Sequence, residues 1–276
     1  MKICTVISSH SPSVFTKLTV ASLLREMRSK FDLNIHIGVH ENYSDYTTDL
    51  SLFDETRSIA HIHLVPEIDW IAHNENVYRY SLMHAKNLEN LLKQVKYYDF
   101  DHLLILDNDL YIQKDFLTPL LERYPDSDLI GHYFADKREP SSVNESMAGE
   151  RIQMMPKCSV WCTVLSRRMY DNIMKDTTVL YPEKIYDTSM IEQSVERFPG
   201  SESVPLVFDT FSKVTFKAID DWGMKVEMLP EAEMMDGIMH FSGSSFNYGS
   251  RNHSVEPGRL RATEIYEREF PDGLEK

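Results

Sequence analysis

Two aspartates carry the clearest chemical signal in this sequence: Asp107 and Asp109, in Leu103-Leu-Ile-Leu-Asp107-Asn-Asp109-Leu-Tyr-Ile112. They stand two positions apart where an apolar run ends. Burying two carboxylates together is costly unless a cation or a set of hydrogen-bond donors compensates. A divalent ion does this well, because oxygen ligands suit Mg²⁺ and Mn²⁺. With few protein ligands such an ion keeps positions open for a substrate diphosphate. Much later, Ile238-Met-His240-Phe-Ser-Gly243-Ser244-Ser sets an imidazole at the end of an apolar stretch, ahead of a turn of small residues. A neutral imidazole can complete a Mn²⁺ site, and backbone N–H groups at Gly243 and Ser244 can face phosphate oxygens. Between these lies Phe208-Asp209-Thr, followed by a helix-like stretch, a turn at Trp222-Gly223, alternating residues from Met224, and Pro230-Glu-Ala232.

Elements on either side must position these groups. Residues 3–7 read as a buried strand of β-formers closed by Ser8, Ser9 and Pro12. With Ser13 as N-cap, Val14, Leu18, Ala21, Leu24, Met27 and Phe31 then recur at helical spacing. Residues 33–40 alternate as a second strand and 60–65 form a short third. A long second helix covers 76–96, with Val77, Tyr80, His84, Leu88, Leu91 and Val95 as its stripe. Residues 102–106 have the pattern of a strand covered on both faces. This order predicts an α/β fold with a Rossmann-like, mainly parallel central sheet flanked by helices. Ligands of such sheets bind at the C-terminal ends of the strands. The later half shows a helix-like segment at 166–175 and strand-like stretches at 204–208 and 224–229. One domain is expected over 1–276, with a nucleotide-like first half at 1–112 and a more variable second half at 113–276.

Composition narrows the field. Twenty-nine Lys and Arg against 43 Asp and Glu give a net charge of −14, which disfavours nucleic acid as a partner. No apolar run reaches the length of a membrane helix, so no transmembrane segment is expected. Three cysteines, Cys4, Cys158 and Cys162, without zinc-ligand spacing fit free thiols and a cytoplasmic location. Only 10 glycines occur, with no Gly-x-Gly-x-x-Gly, no phosphate loop and no Gly-x-Ser-x-Gly, which weakens NAD, ATPase and α/β-hydrolase readings. The pairs His36/His40 and His61/His63 share strand faces and are expected to face solvent. The cluster Met224, Met228, Met234, Met235 and Met239 is expected to fill the core.

Taken in order, the three segments resemble the GT-A fold of nucleotide-sugar-dependent glycosyltransferases, as scattered motifs over roughly residues 3–245. Asp107-Asn-Asp109 looks like that fold's Asp-x-Asp motif, in which the last Asp binds the ion and the first contacts the sugar nucleotide. His240 matches the late metal-binding His. The stretch from Asp209 to Pro230 is similar to the acceptor-side block of the large inverting group, although that group carries Glu-Asp where this chain has Phe208-Asp209. Leu-Asp-Asn-Asp-Leu-Tyr-Ile and His-Phe-Ser-Gly also resemble the retaining, glycogenin-like group, whose Lys-Pro-Trp after the Gly is here Ser244, Ser245 and Phe246. Inversion and retention therefore both stay open. A processive synthase is not expected, because the Gln-x-x-Arg-Trp motif is missing.

The resemblance implies transfer of a sugar from a nucleoside diphosphate, UDP favoured, to a hydroxyl of a glycan or other acceptor. Mn²⁺ or Mg²⁺ would sit on Asp107, Asp109 and His240 and take up charge on the departing diphosphate. In the inverting version Asp209 would act as general base, with Asp187 as a second candidate or a ligand of acceptor hydroxyls. Donor contacts are expected from Ser8, Glu41, Arg79 and Asp107, and from Gly243 and Ser244. Trp161 reads first as a core residue and second as a platform for an acceptor sugar. Residues 136–151 read as a loop able to close over the donor. Two alternatives stay alive: a haloacid-dehalogenase-type phosphatase with the first Asp as nucleophile, and a non-catalytic carbohydrate-binding or scaffold module.

Overall fold

The computed structural model of the chain describes residues 1–9, 13–40, 59–65, 79–134, 144–145, 151–155, 157–197, 199, 203–234, 236–241 and 256–273. Its strands, in chain order, begin with β1 (Lys2–Ser9), β2 (Asp32–His40), β3 (His61–Val65), β4 (His102–Asp107), β5 (Leu110–Ile112) and β6 (Leu129–Phe134). There follow β7 (Asn144–Glu145), β8 (Arg151–Met154), β9 (Lys157–Ser166), β10 (Glu183–Lys184), β11 (Leu206–Phe208), β12 (Val226–Leu229) and β13 (Ile238–His240). The helices are α1 (Ser13–Met27), α2 (Arg79–Val95), α3 (Leu117–Arg123), α4 (Arg167–Ile173), α5 (Thr188–Arg197), α6 (Ser212–Asp220), α7 (Glu231–Met234) and α8 (Glu256–Glu269).

Seven strands form the central sheet in the order β12-β6-β9-β4-β1-β2-β3. Among the described residues β9 alone runs against the others, pairing antiparallel with both β4 and β6. The expected α/β architecture with a mainly parallel sheet is therefore what the chain adopts. Why β1 and β4 take the middle follows from their residues, which are apolar on both faces. Ile3, Ile7, Leu104 and Leu106 join Val20, Leu23 and Met27 of α1 in one core layer. Cys4, Val6, Leu103 and Ile105 join Ala85, Leu88, Leu91 and Leu92 of α2 in the other. A smaller four-stranded sheet, β10-β11-β8-β7, lies to one side, and β13 pairs with β5 alone.

Strand order reverses at β1. The chain steps outward through β2 and β3, then returns to lay β4 on the other side of β1. Connections above these two strands must diverge there, which opens a crevice at their C-terminal ends. Asp107 ends β4 on that edge, in register with Ser8 of β1.

Some expectations need correction. Ser13 is the first residue of α1 rather than its cap. His36 does not face solvent: it is fully buried, with Nδ1 2.9 Å from Nε2 of His63. Parallel pairing sets His36 opposite His61, and Tyr98 closes edge-on over the His36 ring. His61 is exposed. The helix expected at 166–175 is shorter, with Ser166 capping it through a bond from Met169 N. Ahead of it, β9 is a full-length central strand for which the sequence reading had no element. Met224 and Met234 are buried, in keeping with a filler role. No helix among the described residues is long and apolar enough to cross a membrane.

Candidate active site

The turn after β4 is held by α1. Asn108 is buried, donating Nδ2 to Thr16 Oγ1 at 2.9 Å and to Ser9 Oγ at 3.3 Å. Thr19, one turn along α1, shares its single hydroxyl proton between the carbonyls of Asn108 and Leu110 and accepts from Leu110 N at 3.0 Å. Ser22, a further turn on, accepts from Ile112 N at 3.0 Å. Residues 16, 19 and 22 line one face of the helix, so a single stripe of hydroxyls fixes the backbone of Asp107-Asn-Asp109.

The short β5 that follows supplies the template for the distant histidine. β13 pairs antiparallel with it, His240 opposite Leu110, and Phe241 N donates to Asp109 O at 2.9 Å. Strand pairing thus brings His240 Nε2 to 3.2 Å from Asp109 Oδ1. One ligand atom from each of Asp107, Asp109 and His240 lies within 4.8 Å of the others, the compactness of a coordination sphere.

Electrostatics supports a cation there. Burial and the neighbouring Asp109 charge push the Asp107 carboxyl well above the usual carboxylate range. Asp107 Oδ1 is buried and accepts no hydrogen bond, and His84 Nε2 stands 3.5 Å away. Burial works against a charged His240, but its hydrogen bond to Asp109 and the charges of Asp109 and Asp107 outweigh it and raise its pKa. A proton on His240 therefore does part of what a metal would do. The donor set of carboxylate oxygens plus one imidazole nitrogen fits Mn²⁺ better than Mg²⁺, which prefers oxygen alone.

Around this set stand His84 and Lys157, which the sequence alone does not mark as functional, and Trp161, expected first in the core and second as a platform for an acceptor sugar. His84 sat among the apolar stripe of the second helix, and a polar residue at a stripe position was the available signal. Trp161 of β9 stacks its ring on His240 at 5.5 Å between centroids, with His132 edge-on to it at 5.3 Å. Lys157, the first residue of β9, forms an ion pair with Asp209. Nothing local in the sequence marked Lys157.

The other expected site residues are placed as follows. Ser8 is buried beside Asp107. Asp209 follows β11 and accepts from Lys157 Nζ, from Ser81 and from Thr210 N at 2.8 Å. Burial opposes its charge, but the Lys157 ammonium and these bonds hold the carboxyl below its ordinary range. Asp187 lies apart from the metal-type group, exposed and capping α5 through Ser189 N at 2.9 Å and Met190 N at 3.2 Å. Arg79 is the first residue of α2; its side chain, Glu41, Gly243, Ser244 and most of the 136–151 loop lie outside the described residues.

No protein-family model matches the sequence, and no curated protein matches it. Among solved structures the chain is similar to the mannosyltransferase PcManGT from Pyrobaculum calidifontis, in complex with GDP-Man and Mn²⁺. The identity is 10%, over 96% of this chain and 69% of that one, with a TM-score of 0.46. It is also similar to mouse xyloside xylosyltransferase 1 in its apo form, at 11% identity over 83% of this chain and 84% of that one, TM-score 0.38. Neither likeness bears on the chemistry of this chain, which rests on its own residues.

Proposed function

We propose that this chain is a GT-A-type glycosyltransferase, moving a sugar from a nucleoside diphosphate, UDP favoured, to a hydroxyl of a glycan or other acceptor. One observation carries the reading: Asp107, Asp109 and His240 converge at the switch-point crevice between β1 and β4. Asp107, Asp109 and His240 would hold Mn²⁺. When bound, that ion would supply Lewis-acid neutralisation of charge on the departing diphosphate. His84 Nε2 stands 3.5 Å from Asp107 Oδ1, and the ring of Trp161 stacks on His240. Ser8 and Arg79 are the proposed donor contacts.

Proton removal from the acceptor is not assigned to Asp209. A carboxylate held by an ammonium, a hydroxyl and a backbone N–H is a weaker base than a free one, and its partners suit a positioning role. Asp187 has the surroundings of a helix cap, and no chemical role is proposed for it.

The test is a thermal melt with Mn²⁺ and UDP separately and together, followed by nucleotide release from a panel of nucleotide sugars. Stabilisation by the combination, lost in Asp109→Ala, together with release from at least one donor, is the expected result. Stabilisation by Mg²⁺ with beryllofluoride instead would replace this reading with phosphoryl transfer. A response to neither would leave a scaffold.

A further inference from the structure

Lys157 and Asp209 form an ion pair to which the reaction above gives no task. Both side chains are largely out of water, at 11% and 16% exposure. A pair held this dry gives up hydration that its mutual attraction only partly returns, so stability alone is a weak reason for it.

Two elements place the pair in the same site as the carboxylates. α2 brings His84 to Asp107, and one turn earlier Ser81 bonds Asp209 and accepts from Thr210 Oγ1 at 2.8 Å. Positions 81 and 84 are neighbours on one helix face, about 5–6 Å apart at Cβ. The two acids are thus bracketed by a single turn of helix. β9 supplies the second link. Trp161 stacks on His240, and the strand extends from there beyond the end of β4 to Lys157, paired with Phe134. Nearby, the backbone is strained: Phe211, buried, takes φ 72°, a left-handed conformation disfavoured by about 1–2 kcal/mol for a side chain of this kind. Strain of this sort gathers at functional positions.

We propose that Lys157 is a second cation of the site, contacting the diphosphate of the donor substrate, and that Asp209 is the positioning residue that holds it there. The inference rests on the glycosyl-transfer reading. A leaving diphosphate gathers negative charge, and an ammonium fixed in a half-dry crevice stabilises that charge without having to reorganise. Asp209, kept anionic, holds the ammonium protonated and aimed.

The experiment is isothermal titration of a set of nucleoside diphosphates into the full chain at fixed Mn²⁺, with the matching nucleosides as phosphate-free controls. Lys157→Met should raise the diphosphate Kd tenfold or more, leave nucleoside binding unchanged, and leave Mn²⁺ binding alone, read by electron paramagnetic resonance, as in wild type. Lys157→Arg should recover part of the loss. Asp209→Asn should weaken diphosphate binding, and the double variant should be no worse than Lys157→Met within about threefold, the non-additivity of residues acting through one contact. If stranding Asp209 prevents Lys157→Met from folding, the double variant makes the same comparison with no buried charge left alone. Unchanged diphosphate affinity in the folded Lys157 variants would overturn the inference alone, and additive losses would overturn the role of Asp209. Wild type that binds no nucleoside diphosphate would overturn the glycosyl-transfer reading and this inference with it.

Discussion

At Asp107 a half-buried carboxylate lies beside a second, buried one, with one oxygen out of water and no hydrogen bond to it. Such an arrangement is unfavourable in the metal-free fold and favourable once a cation joins it. The sign follows from the raised pKa. Folding favours the neutral carboxyl, so Asp107 contributes stability at low pH that is lost as pH rises through its folded pKa. Asp107→Asn should therefore melt higher than wild type in EDTA at pH 7.5, by about 1 kcal/mol or roughly 2–4 °C. The same variant should lose its response to Mn²⁺. Equal melting of the two proteins in EDTA would mean that the carboxylate is not under this strain. The aspartates and His240 could be picked out from sequence because metal chemistry restricts residue type. Lys157 could not, since its meaning lies only in what it faces.

α1 governs the geometry of the aspartate turn through Thr19 and Ser22. Thr19→Val removes the hydroxyl while keeping the shape, which strands Leu110 N and two carbonyls in the interior. A loss of about 2 kcal/mol is expected in urea unfolding, with weaker Mn²⁺ binding, and Thr19→Ser should restore both. At the other edge of the sheet, β2 and β3 hold a pair of imidazoles in the neutral form. Burial, then the nearby His63 and His61, lower the pKa of His36 from 6.5 to about 3, and burial lowers that of His63. Below pH 6.5 the unfolded chain takes up protons that the folded one refuses. Stability is thus complete above that pH and falls as acid is added, by at most about 1.4 kcal/mol per pH unit for each imidazole. His36→Phe should flatten the fall in Tm between pH 6.5 and pH 4, and an unchanged slope would show that the cluster opens freely. The strands themselves were legible, because alternation fixes a strand. That His36 is buried was not, because it depends on which strand lies beside β2 and on Tyr98 arriving from the end of α2.

For the whole molecule, the candidate metal group joins residues far apart in the chain through the β5–β13 pairing. An ion bound there stabilises only the folded state. Mn²⁺ at one hundred times its Kd should add about 2.7 kcal/mol to unfolding, read as a rise in Tm that EDTA reverses. His240→Ala should abolish most of that rise, and its persistence would mean that the ion binds elsewhere. The sequence by itself determined the fold class and the first four strands of the sheet, because hydrophobic period is a local property of the chain. It also singled out Asp107, Asp109 and His240, whose side chains are costly to bury without a purpose. Only the tertiary structure decided that β9 enters the sheet in reverse, that Trp161 lies on His240, and that Asp209 is bound to Lys157. Those outcomes are set by pairings between distant segments, and the strength of such a contact is written in neither partner's neighbourhood along the chain.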